Sequence, residues 1–123
     1  MSKTGERAIE ILRELGARPA VPFHEQGPAR YIESVLEGLD VDLRRDKYGN
    51  IIAHYRRGQD PDRRPVAFVA HMDHPGFEIV EVDDDRIVAR ALGGVPVASL
   101  KRPTPVLALV PDSEPVSAEV TPY

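Results

Sequence analysis

Residues 65–76, PVAFVAHMDHPG, decide how the rest of this chain is read. From Pro65 to Ala70 every side chain is apolar, so neither face of the segment is suited to water. A short, continuous apolar run bounded by polar loops is the pattern of a strand buried on both faces. His71, Met72 and Asp73 follow at its carboxyl end, and Pro75-Gly76 turns the chain. Ligands of open α/β sheets bind just outside the carboxyl ends of strands. A histidine there can offer a ring nitrogen to a metal. A carboxylate two residues on, in strand geometry, projects to the same side and can orient the imidazole or bind the metal itself.

Working outward toward the amino end, Ala8, Ile9, Ile11, Leu12 and Leu15 share roughly one helical face, with Thr4 as its cap and Gly16 as its stop. The loop ARPAVPFHEQG follows. Pro28 then sits where the first residue of a second helix is expected, and the stripe of that helix is Ala29, Ile32, Val35, Leu36 and Leu39. From Val41 the period becomes two. VDLRRD and Ile51 to Tyr55 read as the arms of a hairpin closed at Tyr48-Gly49-Asn50. Toward the carboxyl end, Phe77 to Val82 and Arg86 to Ala91 form a second hairpin around Asp83-Asp84-Asp85. Val106 to Val110 and Val116 to Val120 are two further strand-like runs in a stretch holding six of the twelve prolines.

With 123 residues, 41% hydrophobic and 29% charged, the chain is long enough for one folded domain or slightly more, and too apolar for general disorder. Its net charge is −4, and the pairs Arg44-Arg45, Arg56-Arg57 and Arg63-Arg64 each lie near acidic residues, so no nucleic-acid footprint is present. No apolar run approaches the roughly 20 residues of a membrane helix, and acidic residues interrupt any signal-peptide reading of the amino end. A soluble, cytoplasmic protein is expected. There are no cysteines, so a metal site would use His, Asp and Glu.

His-x-Asp by itself also describes an ordinary polar strand end. The wider pattern is more specific. DKYGNI at 46–51, AHMD at 70–73, Gly76-Phe77 and LGGV at 92–95 occur in the order and spacing of the M42 metallo-aminopeptidases, and this resemblance runs from about Ile9 to about Val110. It implies an α/β fold: the start of a zinc-aminopeptidase-type catalytic domain (two helices, a hairpin, the buried strand) over residues 1–76. Residues 77–123 would then be β-rich strands of a partial inserted domain, with the boundary between 76 and 95. The activity implied is removal of N-terminal residues from peptides at a dinuclear zinc or cobalt centre. Two divalent ions in such a centre polarise the scissile carbonyl and activate a bridging water. His71 matches the metal-ligand histidine, and Asp73 matches the catalytic-site carboxylate that supports it.

The match departs from the family in several places. His74 stands where Glu or Gln is usual, and Pro22 to Gln26 replaces a Ser-Gly-x-Glu segment. His24, Glu25 and His74 read as loop and surface residues. Asp84-Asp85-Arg86-Ile87 imitates the family's metal-bridging D-D-R-I motif but falls where a hairpin turn belongs. The family's Glu-Glu pair and its later Asp and His ligands have no counterpart. The chain is therefore expected to be the N-terminal portion of such a peptidase, inactive alone; its exposed remainder makes self-association an expectation, and a companion chain is a further expectation that would complete the site. The alternative expectation is a non-catalytic β-rich binding or assembly module derived from the same family.

Overall fold

The computed structural model describes residues 2–58, 64–96, 98 and 100–121. Among them are two helices, α1 (Lys3–Gly16) and α2 (Gln26–Leu36), and six strands: β1 (Asp42–Arg45), β2 (Ile51–His54), β3 (Gly76–Val82), β4 (Ile87–Leu92), β5 (Thr104–Ala108) and β6 (Val116–Val120). The strands pair only as neighbours in sequence, giving three two-stranded antiparallel sheets, so the protein is a small mixed α/β molecule. The chain divides into two compact units, Met1–His74 and Pro75–Tyr123.

In the first unit, Ser2 caps α1 by accepting a hydrogen bond from the Gly5 amide at 3.2 Å, so the cap lies two residues ahead of the expected Thr4. No residue of α1 is buried, and Leu12 on its apolar stripe is 68% exposed. Helix α2 begins at Gln26, and Pro28 lies buried in its first turn beside Ala29. That position tolerates proline because the first amides of a helix have no intrahelical acceptor. Arg18 bridges the two helices: its guanidinium pairs with Glu14 at 2.9 Å and lies 4.2 Å from the ring centre of Tyr31.

The β1–β2 hairpin registers Asp42 with His54 and Arg45 with Ile51. Its turn is organised by Asp46, whose carboxylate accepts from the Tyr48 and Asn50 amides, both at 2.9 Å, and from the Asn50 side-chain amide at 2.8 Å. Gly49 supplies the positive φ of 90° that such a tight connection requires. A two-pronged ion pair ties the hairpin to α2, with Arg45 Nε 2.9 Å from Glu33 Oε1 and Nη2 2.8 Å from Oε2. Half-exposed pairs of this kind contribute roughly 0.2–1 kcal/mol.

One expectation fails at its centre. Pro65 to Ala70 is neither a strand nor buried: it lies outside every sheet, with Val66 80%, Phe68 96% and Val69 93% exposed. An apolar run states which surroundings a segment requires, but a buried strand also needs neighbours on both edges. Within this unit the two strands of the β1–β2 hairpin pair only with each other.

In the second unit β3 and β4 register Gly76 with Leu92 and Val82 with Ile87, with a bulge between Ile79 and Glu81. Asp83 to Asp85 form the connection, closed by the Asp83 amide donating to the Arg86 carbonyl at 2.9 Å. Arg86 also approaches the Glu81 and Asp83 carboxylates at 3.8 and 3.7 Å. The last hairpin pairs Thr104 with Val120 and Ala108 with Val116, so its first arm begins two residues earlier than Val106. Burial is slight: among the described residues the buried ones are Ala20, Pro28, Ala29 and Leu100.

The turn makes a pH prediction. Asn50, first through its side-chain amide and then through its backbone, holds the Asp46 carboxyl below its ordinary value, with the Tyr48 and Gly49 amides adding to the effect. A depressed carboxyl stabilises the fold above its unfolded pKa, and that contribution is lost as pH falls through the folded value. The Tyr48 and Asn50 amide resonances will therefore titrate with a midpoint below that of a free aspartate. Replacing Asn50 with Ala will move the midpoint up toward the free value.

Candidate functional site

His71 and Asp73 come together, but not as two side chains on one face of a strand. No strand includes them. Instead the chain bends locally, so that His71 Nδ1 lies 2.8 Å from the Asp73 carbonyl oxygen and 3.1 Å from Asp73 Oδ1. Both oxygens are acceptors, so Nδ1 carries the proton and donates to them. In the neutral ring the lone pair then resides on Nε2, the nitrogen facing away from Asp73. That is the arrangement in which a carboxylate fixes the tautomer and raises the basicity of a metal-ligating histidine. The His71 side chain is 82% exposed and that of Asp73 31%, so the carboxylate is the better anchored of the two.

The loop before α2 borders this segment. The His74 amide donates to the Ala20 carbonyl at 2.8 Å, and Ala20 is only 2% exposed, so the backbone just after Asp73 is pinned to the amino-terminal helical part. Glu25, at the N-cap of α2, turns its Oε1 to the Phe23 amide at 2.9 Å, and the His24 amide donates to Val21 at 2.9 Å. This hydrogen bonding holds Phe23 at a φ of 73°, a left-handed conformation uncommon for a bulky residue. Glu25 thus serves its own loop, and no contact joins His24 or Glu25 to His71 among the described residues.

A catalytic zinc typically takes three protein ligands. Among the described residues no group of three His, Cys, Asp or Glu side chains is placed to hold a metal ion. His71 fits the role of one ligand and Asp73 that of its orienting partner, but the residues here do not fit a complete catalytic centre. Asp83, Asp84 and Asp85 make a hairpin connection in the other unit. A shallow depression of about 330 Å³ lies at the mouth of the β1–β2 hairpin, lined by Asp40, Val41, Asp42, His54 and Arg56. Its signal was the cross-strand register of Asp42 with His54, which alternation alone does not reveal.

No helix among the described residues is long and apolar enough to cross a membrane. Comparison with protein-family models, with curated proteins and with solved structures yields no match to this chain.

The tautomer is open to measurement. Long-range proton–nitrogen NMR at a pH where the ring is neutral will show His71 protonated mainly at Nδ1. Asp73→Ala will lower that population without abolishing it, because the residue-73 carbonyl still accepts.

Proposed function

We propose that this chain carries the first part of a metallo-aminopeptidase-type site, in which His71 supplies one imidazole ligand through Nε2 and Asp73 positions that imidazole. The single observation supporting this is the double acceptance of the His71 Nδ1 proton by Asp73, immediately after an apolar segment and within the DKYGNI, AHMD and LGGV pattern. On this reading the zinc or cobalt centre, the peptide substrate and the general base belong to a complete enzyme. The chain alone is inactive because one ligand does not hold a catalytic metal.

A second reading has its own observation. Three separate hairpins with open edges, in a chain that also carries an exposed apolar segment, suit a β-rich module that associates with another chain without catalysis.

Zinc and cobalt titrations followed by calorimetry, run alongside hydrolysis of aminoacyl anilides, separate the two. The metallopeptidase reading expects weak metal binding that is abolished by His71→Ala and weakened by Asp73→Ala, with no turnover by the chain alone. Metal binding indifferent to both substitutions would contradict the ligand role. Turnover by the isolated chain that disappears in His71→Ala would contradict the incomplete site.

A further inference from the structure

From Val66 to Ala70 the protein combines three properties seldom found together. The side chains are apolar on both faces, with Val66, Phe68 and Val69 at least 80% exposed. The backbone has no hydrogen-bond partner among the described residues, the nearest backbone bond of the segment being that of the His74 amide. No charged residue lies between Arg64 and Asp73, so nothing within the run repels a like strand. A segment of about this length, rich in β-branched and aromatic residues and without internal Pro or Gly, is of the kind that pairs edge to edge with another strand.

The charges at its two ends specify the arrangement. Arg64 precedes the run and Asp73 closes it. Parallel alignment of two such segments would set Arg64 beside Arg64 and Asp73 beside Asp73. Antiparallel alignment instead brings the basic end of each segment to the acidic end of the other, and like charges set opposite one another across strands are unfavourable. A two-fold axis normal to an antiparallel pair sets residues of the same parity opposite each other, with one residue opposite its own copy. Centred on Phe68, this gives an aromatic pair at the axis, Val66 opposite Ala70 and Ala67 opposite Val69, with Arg64 opposite Met72 of the second copy, at the end of the run that Asp73 closes. Aromatic and β-branched cross-strand contacts are those that stabilise antiparallel ladders.

We propose that residues 66–70 form a self-recognition strand, and that its occupant is the same segment of a second copy of this chain, paired antiparallel about Phe68. The pairing satisfies the backbone groups along one edge and covers Phe68 on both copies. It goes beyond the metal-ligand reading and is independent of it, since it is tested in chelator-treated buffer without substrate.

Sedimentation equilibrium over a wide concentration range gives the first readout. The mass will rise with concentration toward twice the 13.6 kDa of one chain. Phe68→Asp will abolish that rise while leaving the far-ultraviolet circular dichroism unchanged, because Phe68 is 96% exposed. Disulfide trapping gives the second, and the cysteine-free chain makes it clean. Phe68→Cys will cross-link with itself, since directly opposed residues lie about 5 Å apart. Val66→Cys will cross-link with Ala70→Cys when the two variants are mixed. It will not cross-link with itself, being about 14 Å from its own copy along the ladder. A chain that stays monomeric at every concentration overturns the proposal. So does association that persists unchanged in Phe68→Asp, which assigns the contact to another surface, and so does self-linking of Val66→Cys, which means parallel stacking.

Discussion

The rest of the structure depends on a strand sequence that has no sheet. Backbone amides and carbonyls require partners, and apolar side chains require cover. Residues 66–70 have neither among the described residues of their own unit. A doubly apolar strand normally forms the middle of a sheet and organises the elements that pack on it. Without that middle, α2 meets only a two-stranded hairpin, and the apolar stripes of α1 and α2 remain half covered. The near-absence of buried side chains among the described residues, with Ala20, Pro28 and Ala29 in the first unit and Leu100 in the second, follows from the same lack.

What order there is comes from interactions close in sequence. The Asp46 carboxylate collects three hydrogen bonds within four residues and closes β1 onto β2. Arg86 and the Asp83 amide close β3 onto β4, while Arg90 and Glu78 pair across that ladder. Loop closure is inexpensive over such short spans, so hairpins form where longer-range pairings do not. The Arg45–Glu33 fork spans 12 residues and joins hairpin to helix, and the Arg18–Tyr31 contact joins helix to helix; neither joins strand to strand.

This distinction explains which elements were readable from sequence. Helices announce themselves by period and caps, and hairpins by alternation and a turn such as Tyr48-Gly49-Asn50; both kinds of signal are local and both elements appeared. The cap of α1 shifted from Thr4 to Ser2 because either hydroxyl satisfies the same chemistry, and local sequence does not choose between them. The run at 65–70 was read by its demand for burial, and a demand of that kind is met only by distant neighbours. His71 and Asp73 were legible as a pair, but for a reason that did not hold. They meet through a local bend that aims two oxygens of Asp73 at one ring nitrogen, not through the alternation of a strand.

Amide hydrogen exchange resolved to single residues, on chain diluted until it is monomeric, tests the central claim most directly. The amides of Val66 to Ala70 will exchange at nearly the rate of an unstructured peptide, while those paired in β3 and β4 will be slowed. Protection of Val66 to Ala70 in the dilute monomer, equal to that of the hairpins, would mean that the chain builds this strand into a sheet of its own, and would contradict the account.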